Sequence, residues 1–184
     1  GRLCSRTSRA KRLHRQATIP KAVWGAEVNG LAGPDIDRAR RLEVSGLHGQ
    51  AAGKCARSAH AVIHGPLMDP AYSLRWRAIR LFIELWWDSG EDVRREFAQA
   101  WPSFLRDHAP KVMWARVDGA LPALVATLRS IGWMPVCPDL WLDHQGRRWV
   151  LPHRPCSLLV LKEAVRDAVT LELAEAMSHH PVGD

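Results

Sequence analysis

Ala71-Tyr72-Ser73-Leu74-Arg75-Trp76-Arg77-Ala78-Ile79-Arg80-Leu81-Phe82-Ile83-Glu84-Leu85-Trp86-Trp87 is the stretch on which the fold turns. At 100° per residue, Arg77, Arg80, Glu84 and the following Asp88 fall on one narrow polar stripe. Leu74, Trp76, Ile79, Leu81, Phe82, Ile83, Leu85 and Trp86 fill the rest of the circumference. A helix that is apolar around most of its girth belongs near the centre of a core, so residues 71–87 are expected to be the central helix. Asp69-Pro70 marks a turn before it and Ser89-Gly90 ends it.

Helical periodicity continues on both sides. Residues 91–107 place Val93, Phe97, Trp101 and Phe104 on one face, with Pro102 expected to kink or split the helix. Residues 120–131 align Leu121, Leu124, Val125 and Leu128, with Asp118 as the expected N-cap and Gly132 in the position of a C-terminal glycine. Residues 157–177 place Leu161, Ala164, Val165, Ala168 and Leu171 inward. Upstream, residues 35–47 form a mixed face of Ile36, Ala39, Leu42 or Arg40, and Leu47. Gly30, Gly33 and Pro34 break the chain before it, and an apolar stretch at 59–63 follows it. Helices are also expected over 3–17 and 21–29, with Pro20 at the first turn of the second.

The period changes to two only once. Residues 136–143 and 148–151 flank His144-Gln145-Gly146-Arg147, the pattern of a β-hairpin with Gly146 at positive φ. The fold class is therefore mainly α, a helical bundle with one small β-hairpin near the C-terminal third. The organisation is a basic helical arm over 1–21, a helical domain over 22–177 carrying the hairpin at 136–151, and a frayed tail over 178–184.

The chain of 184 residues carries a net charge of +7, and that charge is not spread evenly. Arg2, Arg6, Arg9, Lys11, Arg12, Arg15 and Lys21 all precede Glu27, the first acid. Removing those seven from the 26 Lys and Arg leaves 19, against 19 Asp and Glu. A cationic arm on a neutral body calls for an acidic partner, nucleic acid first and a membrane surface second; the bland reading is a solvated basic helix. The seven arm cations are the candidate nucleic-acid-binding residues. No apolar run approaches the roughly 18 residues that cross a bilayer, so no membrane partner is expected. The first residue is Gly1 rather than Met, so the chain is expected to begin inside a longer reading frame or after trimming, and no targeting signal is read from it.

Chemistry-bearing constellations are sparse. Cys4, Cys55, Cys137 and Cys156 form no CxxC pair, which points to free thiols in a reducing, intracellular compartment. Cys55, His60 and His64, and Cys137, His144, His153 and Cys156, are the sets whose residue types could ligate zinc. Only His60/His64 and His153/Cys156 have metal-ligand spacing and neither has a matching pair, so no metal and no cofactor are expected. No cysteine other than Cys4 is expected at a helix N-terminus beside cations. There is no G-x-S-x-G and no phosphate loop, and no catalytic residue is assigned. Val117-Asp118-Gly119-Ala120 is similar to the start of a ribonuclease H site, but the helix that follows at once assigns Asp118 to capping. Trp76, Trp86, Trp87, Trp101, Trp114, Trp133, Trp141 and Trp149 read mainly as core. Trp141 and Trp149, opposed across the hairpin, are the best candidates for stacking on bases.

Ile19-Pro20-Lys21-Ala22-Val23-Trp24-Gly25-Ala26-Glu27-Val28, behind a basic helix, resembles the segment that follows the polymerase core in reverse transcriptases of non-LTR (LINE-type) retrotransposons. Asp69-Pro70 before Arg75-Trp76-Arg77, the Thr127 to Trp133 stretch TLRSIGW, and the Leu142 to Pro152 ending are similar to the same frames, in the same order, over about residues 5–177. The polymerases of that family need palm aspartates in a Tyr/Phe-x-Asp-Asp signature, and this chain has no Asp-Asp pair. The resemblance therefore implies a post-polymerase thumb or connector region, probing no chemistry of its own. It implies RNA or DNA held through the arm, and the polymerase core of the same polyprotein as a neighbour. The alternative from another class is a helical protein-interaction module with no nucleic-acid role.

Overall fold

The computed structural model describes residues 24–48, 55–60, 65, 68–109, 111–151 and 157–178. Among them are seven helices: α1 (Ala26–Asn29), α2 (Gly33–His48), α3 (Ala56–Ala59), α4 (Pro70–Asp88), α5 (Glu91–Asp107), α6 (Ala120–Ser130) and α7 (Ser157–Ser178). A 3-10 turn spans Trp114–Arg116, and β1 (Met134–Cys137), β2 (Leu140–Leu142) and β3 (Arg148–Val150) form one antiparallel sheet in the order β1-β2-β3. The mainly α class with a small β element in the C-terminal third is thus what the chain forms. The segments 3–17, 59–63 beyond His60, and 179–184 lie outside the described residues, as do residues 21–23; of the helix expected over 21–29, the described part is a turn at 24–25 followed by the helix Ala26–Asn29.

Two compact units divide these elements. One holds α2, α3, residues 70–74 of α4 and the end of α7 from residue 169. The other holds α1, the rest of α4, α5, α6, the sheet and α7 up to residue 168.

In the first unit, α2 begins earlier than the glycines and Pro34 suggest. Pro34 sits in the first turn, where its missing N–H costs nothing, and the N–H groups of Asp35 and Ile36 donate to the Ala32 carbonyl. Ile36, Ala39 and Val44 are buried, together with Arg40 and Glu43, while Leu42 is exposed. Of the two residues offered for that position, the arginine is the inward one. At the start of α4, Asp69 stands before Pro70 and its Oδ1 accepts the Ala71 N–H at 2.9 Å, an N-cap paired with a proline at the first helical position.

The second unit has a different centre from the one expected. In α6 every residue from Leu121 to Leu128 is buried, whereas α4 exposes Leu85 and only half-buries Trp86 and Trp87. Ala123, Ala126 and Thr127 fill the sides of α6 that a search for large apolar residues leaves blank. Ala123 and Ala126 pack with Val117, Val112 and Trp114. Helix α6 ends in a Schellman motif: the Trp133 N–H donates to Leu128 O at 2.9 Å and the Gly132 N–H to Arg129 O at 3.1 Å, with Gly132 at φ +74°. Its other end corrects the sequence reading. Gly119 occupies the N-cap with no side-chain bond, and the Gly119 N–H donates to Val28 O at 3.2 Å, so Asp118 does not cap. The chain passes through Gly119 at φ +104°, which carries the Asp118 side chain out to solvent.

Helix α5 matches its expected bounds. Pro102 leaves it undivided, because a proline removes only its own N–H bond and the neighbouring turns remain. Arg94 joins α5 to α4: its Nε donates to Trp86 O at 3.1 Å and its guanidinium lies 5.3 Å from the Trp86 ring centroid. Phe82, Trp86 and Phe97 complete an aromatic cluster. In α7, Leu161, Ala164, Val165 and Ala168 are buried as expected, but Leu171 is exposed and Val169 and Leu173 take the inward positions.

The hairpin is present as β2–β3, with Trp141 opposite Trp149. Its first arm is not one strand. Pro138 cannot donate to a ladder, and the chain turns at Pro138-Asp139, so residues before the turn form a third strand, β1, paired to β2. Pro135 is tolerated in β1 because that strand is an edge. Asp143 holds the β2–β3 turn: Oδ1 accepts the N–H groups of Gln145 and Arg147 (2.9 Å each), and Oδ2 accepts Arg147 Nε (2.7 Å) and Trp149 Nε1 (3.1 Å). Gly146 takes the expected positive φ, +77°.

Candidate nucleic-acid interface

The candidate binding residues Arg2, Arg6, Arg9, Lys11, Arg12, Arg15 and Lys21 all lie outside the described residues. What the structure shows is how the body to which they are attached handles its own charge and aromatic surface.

Seven arginines of the body, Arg40, Arg57, Arg80, Arg95, Arg116, Arg147 and Arg166, pair with its own acids. In the first unit, Arg40 grips the buried Asp69 with two parallel bonds, Nε to Oδ1 at 3.0 Å and Nη2 to Oδ2 at 2.7 Å. Its Nη1 donates to Asp37 Oδ1 at 3.0 Å, and Arg57 grips Asp37 in turn, Nη2 to Oδ2 at 2.6 Å. Two guanidinium groups and two carboxylates form a chain of zero net charge across α2, α3 and the start of α4. Burial alone would raise the Asp37 pKa; the guanidinium groups of Arg57 and Arg40 outweigh it and hold the carboxyl below its ordinary value. Beside this chain, the buried His60 lies with Nε2 3.7 Å from Glu43 Oε2.

In the second unit the pairs are Arg80–Glu84, Arg95–Asp92, Arg116–Asp107, Arg147–Asp143, and Arg166 with Glu163 and Asp167. Asp143 has a depressed pKa: burial works against its charge, but the Arg147 N–H and guanidinium, the Trp149 indole and the Gln145 N–H more than compensate. Most of these surface pairs add little to stability. Their consequence here is local neutralisation of the groups they join.

Metal chemistry finds no assembled site among the described residues, where no group of three His, Cys, Asp or Glu could hold an ion. Cys55 is exposed and His60 is buried, while His64, His153 and Cys156 lie outside the description. Cys137 donates its thiol to Asp139 Oδ1 at 3.2 Å, and burial followed by that carboxylate pushes its pKa up. Cys55 departs from the sequence reading. It occupies the N-cap of α3, and hydrogen bonds from Ser58, then the nearby Arg57, draw its pKa down. The sequence expectation places no helix at 56–59, so it puts no N-cap at Cys55.

The two tryptophans favoured for stacking do not offer free rings. Trp141 is buried and its Nε1 donates to Pro138 O at 3.2 Å. Trp149 is half-buried, stacked on Trp133 with centroids 5.8 Å apart and planes 7° from parallel, and the Arg147 guanidinium lies 5.5 Å from its centroid. These rings are core and turn structure. The exposed tryptophan is Trp24, which follows the arm directly and was not among the candidates.

No helix among the described residues is long and apolar enough to cross a membrane. Comparison of the chain with family models, with characterised proteins and with solved structures finds no match.

Proposed function

We propose that this chain is a non-catalytic, mainly helical segment of a retroelement reverse-transcriptase polyprotein, and that it holds RNA or DNA next to the polymerase core without regard to sequence. The observation that carries the reading is charge segregation: seven cations precede the first acid, and the remainder balances at 19 against 19. Internal pairing of the body's arginines supports it, since Arg40, Arg57, Arg80, Arg95, Arg116, Arg147 and Arg166 all face acids. The retroelement assignment rests on the ordered motifs from Ile19 to Pro152. Arm cations would contact phosphates, which positions a nucleic acid without reading its bases.

Titration of a single-stranded oligonucleotide at two salt concentrations tests the reading. Seven phosphate contacts correspond to an affinity loss on the order of a thousandfold between about 50 and 200 mM salt, because each contact releases a condensed counterion. Binding that survives deletion of residues 1–21 with the same salt dependence refutes the role of the arm.

A second reading, a protein-interaction module, is favoured by a separate observation. The outer face of the sheet exposes the apolar side chains of Met134, Val136 and Val150. This reading requires binding to a protein partner that is indifferent to salt and to loss of the arm.

A further inference from the structure

Within the second unit, the chain between α5 and α6 holds α1 in place at two points. The Trp114 ring lies so close over Gly30, the residue that ends α1, that a Cβ there would stand 2.6 Å from Cε3 and Cζ3. Beyond it, the Gly119 N–H donates to Val28 O at 3.2 Å. Trp114 also packs on the small-residue face of α6, so one indole is wedged between α1 and α6. What sets the entry to its 3-10 turn is an imidazole. Met113, which precedes the turn, donates its N–H to His108 Nδ1 at 3.2 Å, and the His108 carbonyl accepts Arg129 Nη1 at 3.1 Å. His108 follows the last turn of α5 and is fully buried.

Because Nδ1 accepts a bond, the ring's proton sits on Nε2, a nitrogen that is buried without a hydrogen-bond partner among the described residues. A second proton has only Nδ1 to bind, so protonation and the tie to Met113 exclude each other. The charged groups that face the ring are Asp107 on α5, Arg129 at the end of α6 and Arg116 in the 3-10 turn, two cations against one carboxylate. Arg116 already occupies that carboxylate through its 3.3 Å bond to Asp107 Oδ1. An imidazolium would therefore be buried with no acceptor and with cations beside it, and it is relieved by moving into water. We propose that His108 is a proton-operated latch: a proton added at Nδ1 breaks the tie to Met113, lifts Trp114 from Gly30 and undocks α1 from α6. The latch is independent of the nucleic-acid reading. Opening takes up one proton. Its equilibrium constant is therefore flat above the ordinary histidine value of 6.5 and rises about tenfold per pH unit below it, until the lower folded value is passed.

The test is amide hydrogen exchange of the full chain, followed by NMR between about pH 5 and 8, with the intrinsic exchange rate divided out. The amides of Met113, Val117, Gly119 and Gly30 are expected to open together and to show the tenfold rise, while those of Leu124 to Leu128 inside α6 keep their protection. In His108→Asn the side-chain Oδ1 takes the place of Nδ1 as acceptor and does not titrate, so the tie persists and the profile should become flat. Opening in the parent that does not change with pH overturns the latch. So does a rise that survives in His108→Asn, or one that α6 shares in full, which is acid unfolding of the unit as a whole. A rise at Met113 with Gly30 and Gly119 unchanged overturns the undocking of α1. If circular dichroism shows His108→Asn unfolded, the parent decides alone: the NMR titration of His108 must place its folded pKa where the rise levels off, and a mismatch overturns the latch.

Discussion

Replacing Asp69 by Ala should be among the most damaging single changes in the first unit. The Asp69 carboxylate is fully buried and serves two purposes: it takes the paired bonds from Arg40 at 3.0 and 2.7 Å, and it caps α4 through the Ala71 N–H at 2.9 Å. Removing one partner of a buried ion pair costs about 3–5 kcal/mol, because the surviving charge keeps its desolvation penalty without its counter-ion. Loss of an N-cap adds about 1 kcal/mol. Arg40 is not left wholly bare, since Asp37 Oδ1 still accepts its Nη1 at 3.0 Å, which favours the lower end of the first range. A total of about 4 kcal/mol follows, measured as the shift in free energy from urea unfolding followed by circular dichroism. The companion variant Arg40→Met separates the two terms. If the damage comes from the stranded charge, Arg40→Met/Asp69→Ala should be no less stable than Asp69→Ala alone, giving a coupling of roughly 2–3 kcal/mol in the double-mutant cycle. Additive costs, or an Asp69→Ala cost below about 1 kcal/mol, refute a buried pair as the organiser of this unit.

Other outcomes follow from single sites. Gly30→Ala should cost at least about 2 kcal/mol in unfolding experiments, since φ is +66° and a Cβ would stand 2.6 Å from Trp114 Cε3 and Cζ3; a neutral substitution would contradict that close approach. Asp143→Ala should cost about 2 kcal/mol or more by loosening the β2–β3 turn. The depressed pKa values of Asp37 and Asp143 mean that their contribution is present above the ordinary aspartate value of 3.8 and is lost as pH falls through the lower folded values, so Asp143→Asn should flatten the acid limb of the stability profile. The buried His108 accepts the Met113 N–H at Nδ1 (3.2 Å), a bond only the neutral ring can accept, and burial, followed by Arg129 and Arg116 against Asp107, lowers its pKa. Its contribution is therefore full above the ordinary value of 6.5 and declines as pH falls from there through the folded value; an NMR titration placing that value above 6.5 would reverse the sign.

Much of the fold was legible because its helices bury large apolar residues at helical spacing. The bounds of α5 and the glycine end of α6 follow directly from Val93 to Phe104 and from Gly132. The errors share one physical origin, which is that periodicity registers the size of side chains and not what they face. Helix α6 is central because Ala123, Ala126 and Thr127 let neighbours approach on the sides where large residues are absent. Arg40 is inward and Leu42 outward because a carboxylate 29 positions away in the sequence meets the guanidinium, and nothing local announces that meeting. Asp118 has the right residue type for a cap, yet Gly119 bends the backbone so that its side chain faces water. Pro138 was visible as a strand breaker, and weighing its missing donor against the apolar alternation would have separated β1 from β2.

The candidate site divides differently, since its charge was legible and the exposure of the chain's aromatic rings was not. Composition shows the seven arm cations at once, but it cannot show whether the body's equal numbers of acids and bases cancel locally or form opposing patches. Cancellation is local where pairs form: Arg40–Asp69, Arg57–Asp37 and Arg147–Asp143 join groups a few ångströms apart, well inside the roughly 8 Å screening length at physiological salt. An acidic patch on the body would compete with a nucleic acid for the arm, whereas paired charges leave the arm's field for an outside partner. With nine tryptophans in the chain, sequence alone favours those in a hairpin as the accessible ones, yet Trp141 and Trp149 are held by Pro138, Trp133 and Arg147. Exposure is a property of the finished fold, and among the nine tryptophans it is Trp24, absent from any periodic apolar face, that is left in water.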